Sequence, residues 1–407
     1  MISPPLELAK IPAEAYSDYR YELIFRAYKW DPQVEDESTV SKEALLVSRE
    51  TARQLSVWAE RLSGETILME EALMDRPDLA KKLGLPRKIL KHLPRLKGYK
   101  RDRHIRLMRF DFHPIPNGGW AVSEVNSDVP GGLAEASVWG GIAAKYFPGA
   151  EPGPSVAEKL FGEFYTKTKD AASIALVHAT SYSDDRQVMQ FIGDYFSDKG
   201  LTAVYAAPDH VQWKNKKAWI TVNENEAENE AELDGILRFF PLEWLPNLPS
   251  HSRWENYFDC ETVSCNHPVA LLTQSKRLPL IWDDLGINIP AWKELLPETR
   301  SPREVSGDDW IYKPVLGRVG EGISIKSAVS QKDMLKIKKD ALRYPGEWIA
   351  QRPFESLPLF SAGGHYYHLC IGVFTVNCQA AGFYGRISRY PRIDKRAQDL
   401  PVLVRKA

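Results

Sequence analysis

Apolar side chains recur at three- and four-residue intervals through residues 41–74, SKEALLVSRETARQLSVWAERLSGETILMEEALM. That spacing predicts helix, capped at Ser41 and broken at Gly64, within an N-terminal hundred residues that reads as helical. The period changes at residue 107. Met108, Phe110 and Phe112 alternate with Arg109 and Asp111, as in a strand with one buried face. Asn117-Gly118 then supplies the favoured pair for a two-residue hairpin loop. Closing the chain there pairs Pro116 with Gly119, sets Asp111 opposite Glu124, and sets Arg109 opposite Asn126. Residues 130–147, PGGLAEASVWGGIAAKYF, return to helical spacing.

Proline and glycine at residues 149–154 mark a lobe junction. Beyond it SIALVHA, DDRQVMQFIGDYFSDKG and LTAVYAA read as strand, helix and strand, with Gly200 ending the helix and DGILRFFPLEWL adding a further strand. These lengths suit a small parallel α/β lobe. His178 follows its first strand, where ligands often bind, but an ordinary loop histidine is the expected reading. The acidic run at residues 223–234 is expected to be an exposed loop or helix start. From Cys265 onward strands are expected to dominate. WIYKPVLGRVGEGISIK reads as a second hairpin, and EWIAQRPFE, HYYHLCIGVFTV and CQAAGFYGRIS complete an antiparallel sheet.

A chain of 407 residues is long enough for two or three lobes. Its 43% hydrophobic and 26% charged residues and net charge of -1 favour no class of partner. No apolar run approaches the roughly 20 residues of a membrane span, and MISPPLELAK lacks signal-peptide character, so a cytoplasmic protein is expected. Cys260, Cys265, Cys370 and Cys378 fit a reducing compartment. With His267, the first two match no zinc spacing, so buried or inert thiols are expected. Residues 81–109 are basic, but no nucleic-acid motif accompanies them. A solvated helix-and-loop face is expected there, with a pocket for an anionic substrate as the alternative.

Two carboxylates on one face of a hairpin repel unless a cation lies between them. Mg²⁺ takes oxygen ligands, and Asp111, Glu124 and the Asn126 carbonyl suit it. Arg109 on the same face could meet a phosphoryl oxygen. A half-buried sheet with an acidic outer face explains the same pattern without function. On the metal-site reading, Asp111→Asn or Glu124→Gln should weaken metal binding and lower turnover sharply while leaving the fold intact, since a like-charge pair is relieved, and marked unfolding would point to a structural pair. Lys313, inside an apolar strand, needs an anion or a path to solvent. Gly317, Gly320 and Gly322 beside it form neither a Walker A loop nor a dinucleotide fingerprint, but their amides could cover phosphates. Lys276, at the start of a helical segment, and Arg386, on a strand, are further cations.

Taken in order, RFDF, SEVNSDVPGG, DGILRFFPLEWL, LLTQSKRLPLIW, WIYKPVLGRVGEG, EWIAQRPFE and CQAAGFYGRIS resemble the synthetase domain of glutathionylspermidine synthetase, of the ATP-grasp superfamily. The resemblance spans roughly residues 100–400. It implies an α+β fold: an ATP-grasp with mostly antiparallel sheets, a small inserted parallel α/β lobe and a helical N-terminal region. The implied division is 1–150 for the N-terminal region and metal-binding hairpin, 151–258 for the small lobe, and 259–407 for the nucleotide-binding lobe and C-terminal sheet. It also implies an ADP-forming ligase of ATP and Mg²⁺, acting on small-molecule carboxylate and amine substrates through an acyl phosphate, with neither nucleic acid nor membrane as partner.

On the matching positions Asp111, Glu124 and Asn126 would hold Mg²⁺, and Arg109 would stabilise the migrating phosphoryl group. Lys276 and Lys313 would contact nucleotide phosphates under the loop of Gly317, Arg318, Gly320 and Gly322. Arg386 would reach the phosphates or the transferring group, and Gln351 the adenine. The chemistry agrees, since phosphoryl transfer needs positioning and charge neutralisation rather than a protein nucleophile. Where the family's loop commonly reads REG, this chain has Arg318-Val319-Gly320. The first cysteine is Cys260, so the amidase of bifunctional members is not expected. A nucleotide-binding module without catalysis is the competing expectation.

Overall fold

A computed structural model describes residues 4–34, 37–224, 227–317 and 330–406. The fold is a mixed α+β arrangement of several antiparallel sheets and one parallel sheet. Its central sheet runs Gln398–Leu400, Gln379–Ser388, Tyr366–Val376, Leu107–Pro114 and Trp120–Asn126, with Leu359–Phe360 added beside Tyr366–Val376. Every pairing in it is antiparallel.

The strand alternation decides what each face of that sheet does. Met108, Phe110 and Phe112 are fully buried with Leu369, Ile371 and Val373 on one face, in the core that the long helix Arg49–Met74 also enters. Burial of each such side chain contributes on the order of 2 kcal/mol. The alternate positions Arg109, Asp111, His113, Cys370 and Arg386 face a cavity.

Local helix spacing is overridden before that helix begins. Glu43–Val47 is a strand, antiparallel to Leu6–Lys10 and parallel to Val402–Arg405, so Ser41 caps nothing and instead donates to Glu43 Oε2 at 2.9 Å. Ser48 is the cap, its Oγ accepting from the Thr51 amide at 3.1 Å. Gly64 lies inside an unbroken helix; the roughly 1 kcal/mol that glycine costs there is small against the helix's packing. The N-terminal region is thus part strand, because pairing with distant residues outweighs a local preference. Residues marked by proline and glycine give the edge strand Ala150–Pro152 of this sheet.

The parallel sheet has the order Val263–Cys265, Gly235–Arg238, Ser173–Val177 and Thr202–Ala206, and the helix Ser183–Ser197 crosses between its last two strands. Residues 223–224 and 227–232 of the acidic run are strand rather than loop or helix start. Ala227–Glu232 pairs with Lys217–Glu224, and Glu232 meets Lys217 at 2.8 Å, so cross-strand cations hold the acidic residues in a sheet. Between Cys265 and residue 296 short helical turns replace the expected strands. A further sheet then joins Thr299–Arg300, Trp348–Gln351 and Ile311–Pro314. The glycine bend and second arm proposed after Ile311–Pro314 fall at residues 318–329, outside the described residues.

Arg106 departs from the expected solvated face. It is buried against Glu70, with Nε 3.1 Å from both carboxylate oxygens. All four cysteines are free thiols; three are buried and Cys378 is partly so. Among the described residues no helix is long and apolar enough to cross a membrane.

Candidate active site

The hairpin keeps the expected register at its base and loses it toward the turn. Arg109 faces Asn126 and Phe110 faces Val125, but Phe112 then faces Val122. Asp111 therefore stands opposite two residues, Ser123 and Glu124, in a β-bulge. The loop is also longer than two residues. A 3₁₀ turn at Pro116–Gly118 is closed by the Ile115 amide donating to the Gly119 carbonyl at 3.0 Å. The extra loop length and the bulge compensate, so Asp111, Ser123, Glu124 and Asn126 all line one cavity of about 1160 Å³.

The cations that relieve the acidic pair belong to the protein. Arg109 binds Asp111 through both oxygens, Nε to Oδ1 at 2.7 Å and Nη2 to Oδ2 at 2.9 Å, and Nη1 donates to the Gly131 carbonyl at 2.6 Å. Asn126 Nδ2 donates to Asp111 Oδ2 at 3.2 Å. Lys276 Nζ stands 3.2 Å from Glu124 Oε2. Burial pushes the Glu124 carboxyl up, but Lys276, Lys313 and Arg109 together hold it below its ordinary range.

Lys313 comes from Ile311–Pro314 and is only 6% exposed. Its Nζ donates to the Ser123 carbonyl at 3.3 Å. Burial lowers the ammonium to about 8, against the opposing pull of Glu124, and Lys276 lowers it further. A buried cation satisfied mainly by a carbonyl suits an incoming anion. Lys276 is not at a helix start; it sits in a turn between Leu271–Gln274 and Leu278–Leu280. From there its Nζ reaches the Gly317 carbonyl at 2.6 Å, tying the entry of the glycine segment to Glu124. Arg318, Gly320 and Gly322 lie outside the described residues.

Gln351 lines the cavity and a smaller apolar recess with Trp282, Trp292, Leu296 and Ile349, and donates to Thr299 Oγ1 at 3.0 Å. Arg386 enters from the neighbouring strand, beside Cys370 in register, and its Nη2 donates to the Asp394 carbonyl at 2.7 Å. His178 is buried with Nδ1 2.9 Å from the Leu176 carbonyl and does not line the cavity. The helix expected over residues 130–147 begins as a π-helical turn, Glu135–Trp139. Gly131 and Gly132 ahead of it line the cavity.

Two cavity residues escape sequence reasoning. His113 Nδ1 donates to the Leu369 carbonyl at 3.1 Å, leaving Nε2 to accept from Ser123 Oγ at 3.0 Å. Burial lowers its imidazole to about 4 despite Asp111, so it stays neutral and braces the bulge. Its outward place in the Arg109-Asp111-His113 alternation was the available signal. Tyr384 lies under the Arg109 guanidinium, 5.2 Å from its ring centroid, and donates to Asp399 Oδ1 at 2.6 Å. No local pattern marks it.

The oxygen donors fit a hard cation in kind: two carboxylates and an amide whose Nδ2 is engaged, leaving its carbonyl oxygen to coordinate. Among the described residues no group of three or more His, Cys, Asp or Glu side chains is poised to hold a metal, so such an ion would depend on Asn126 and on ligand oxygens.

Comparison with known proteins gives the chain a family and structural neighbours. The glutathionylspermidine synthase preATP-grasp family matches residues 13–405. In structure the chain is similar to the apo form of a glutathione synthetase-like effector, GSS30, from Globodera pallida, at 9% identity and a TM-score of 0.64, covering 96% of this chain and 97% of that one. It also matches a protein provisionally assigned as a gamma-glutamylcysteine synthetase from Methylobacillus flagellatus KT, at 13% identity, a TM-score of 0.45, and coverage of 84% and 88%. Comparison with curated protein sequences finds no match. With its family profile spanning nearly the whole length, the chain belongs to the glutathionylspermidine synthase preATP-grasp family.

Proposed function

We propose that this protein is an ATP- and Mg²⁺-dependent carboxylate-amine ligase with an ATP-grasp core and a small inserted α/β lobe. The observation that carries the reading is the convergence of Lys313, Arg109 and Arg386 on one cavity that also holds Asp111 and Glu124, with Lys276 in the adjoining recess 3.2 Å from Glu124. Arg352 and Arg392 line the same cavity with Asp185, Asp308 and Asp309, so the attraction for polyphosphate lies in the clustering of Lys313, Lys276, Arg109 and Arg386 at the hairpin rather than in the lining as a whole.

In this reading Asp111, Glu124 and Asn126 would hold Mg²⁺, which when bound neutralises phosphate charge. Lys313 and Lys276 would contact the nucleotide phosphates. The base would lie in the main cavity where Gln351 offers it a side-chain amide. Arg109, held by Asp111 and Gly131, and Arg386 stabilise the charge that builds as a substrate carboxylate attacks the γ-phosphorus and ADP departs. An amine then attacks the acyl carbon, phosphate leaves, and an amide forms. Lys313 must be protonated to serve, and arriving phosphate raises its proton affinity.

The test is an ADP-release screen that crosses amino acids and thiol peptides with polyamines and amino acids. ADP and phosphate should appear only when acid and amine are both present; AMP and pyrophosphate would contradict the reading. A second reading, nucleotide binding without catalysis, draws on the closed Arg109–Asp111 pair, which already occupies both oxygens of one proposed metal ligand. MgATP binding with no turnover across the screen would favour it.

A further inference from the structure

Beside the edge strand Gln398–Leu400 of the central sheet, Lys29 reaches in from the N-terminal region and is 6% exposed. Its Nζ stands 3.0 Å from Asp399 Oδ2, 3.1 Å from Asp31 Oδ1 and 3.7 Å from Glu135 Oε1. Asp399 is the cross-strand neighbour of Arg386. Its other oxygen, Oδ1, accepts from Tyr384 at 2.6 Å and lies 3.7 Å from Arg386 Nε, which makes no hydrogen bond among the described residues. One carboxylate is therefore shared between a lysine on its far side and an arginine that faces the cavity.

The lysine is held in place from several directions. The Trp30 amide donates to Gln187 Oε1 at 2.8 Å, Gln187 Nε2 donates to Asp31 Oδ1 at 2.9 Å, and Tyr28 donates to Asp194. The backbone of Asp399 is pinned by the same region, its amide donating to the Thr39 carbonyl at 2.7 Å and its carbonyl accepting from Ser41 at 2.9 Å. These contacts anchor the backbone on both sides of the Lys29–Asp399 pair.

We propose that Lys29 is a positioning residue of the candidate site: by neutralising Asp399 from behind, it keeps Arg386 from closing onto that carboxylate and leaves the guanidinium turned to the cavity. A buried carboxylate must find a cation. With Lys29 removed, Arg386 is the cation in reach, and only 3.7 Å separates them. Arg386 would then be withdrawn from an anionic ligand without being mutated. The inference rests on the ligase reading only in taking Arg386 to face phosphate or an acyl phosphate.

The test uses the full chain and two readouts. Lys29→Met is expected to weaken MgATP binding, measured by calorimetry, by about tenfold, the scale of one charge-assisted hydrogen bond. In the ligand-free variant the Arg386 Nε–H signal, followed by NMR, should become protected from exchange as it bonds Asp399. Lys29→Met/Asp399→Asn should restore both readouts, which a merely structural role for Lys29 would not produce. Unchanged affinity and an unchanged Arg386 signal in Lys29→Met would overturn the proposal, as would failure of the double variant to recover. Should Lys29→Met not fold, Asp399→Asn alone decides. The proposal expects affinity within about threefold of wild type, and a loss equal to that of Arg386→Ala would refute it. If wild-type protein binds no MgATP, the ligase reading fails while the ligand-free Arg386 signal still settles the role of Lys29.

Discussion

Arg109 and Asp111, two residues apart on one strand, are joined by two parallel hydrogen bonds of 2.7 and 2.9 Å. The Asp111 carboxylate is thereby matched before any ligand arrives. Asp111→Asn does not relieve repulsion here; it strips a buried guanidinium of its counter-ion. We expect a loss toward the low end of the roughly 3–5 kcal/mol seen when a buried pair is broken, since the amide keeps one acceptor. Urea unfolding measures it, and a gain in stability would show that the two residues do not pair.

Lys313 supplies a pH signature. Its ammonium titrates at about 8 in the folded protein, against about 10.4 in an unfolded chain. Between those values the unfolded state binds more protons, so this group makes stability rise with pH across the window. Below about 8 both states are charged and the burial penalty is constant. Lys313→Met should remove the rise, seen as the difference between wild-type and variant denaturation curves from pH 7 to 10. MgATP affinity should fall above pH 8 in the wild type and stay flat in the variant.

Gly132 has a φ of +90°, and a Cβ there would lie 2.7 Å from the Tyr384 ring. Gly132→Ala combines backbone strain with displacement of the ring that supports Arg109. A loss of about 1–3 kcal/mol is expected from the backbone alone. Thermal unfolding gives its size. Weakened MgATP binding beyond that of a surface Gly→Ala control, such as Gly98→Ala, would report the moved ring.

Glu70 and Arg106 pair inside the core, with Thr273 Oγ1 donating to Glu70 Oε1 at 2.6 Å. Glu70→Gln leaves the guanidinium without a counter-ion and should cost about 3–5 kcal/mol by chemical denaturation. An effect under 1 kcal/mol would mean that Arg106 reaches solvent.

Local pattern alone made the base of the hairpin legible. Alternation separates Met108, Phe110 and Phe112 from Arg109 and Asp111, and Arg109 meets Asn126 as counted from the turn. The count fails at Asp111, because a longer loop and a bulge cancel each other, and neither leaves a periodic trace. Glu43–Val47 shows the same limit in the opposite direction, its local spacing overruled by strand partners at Leu6–Lys10 and Val402–Arg405.

By itself the chain's sequence determined the kinds of groups available: a strand presenting Arg109 and Asp111, a lysine in an apolar strand at 313, and the order of motifs that marks the family. Those properties depend on side-chain type and on neighbours a few residues away, and they survive in any register. Only the tertiary structure decided that Lys276 stands against Glu124, that Arg106 is internal, and that Lys29 reaches Asp399 from 370 residues away in sequence. Such pairings are settled by burial, where an unmatched charge is too costly to leave alone, and burial is a property of the packed chain rather than of any segment.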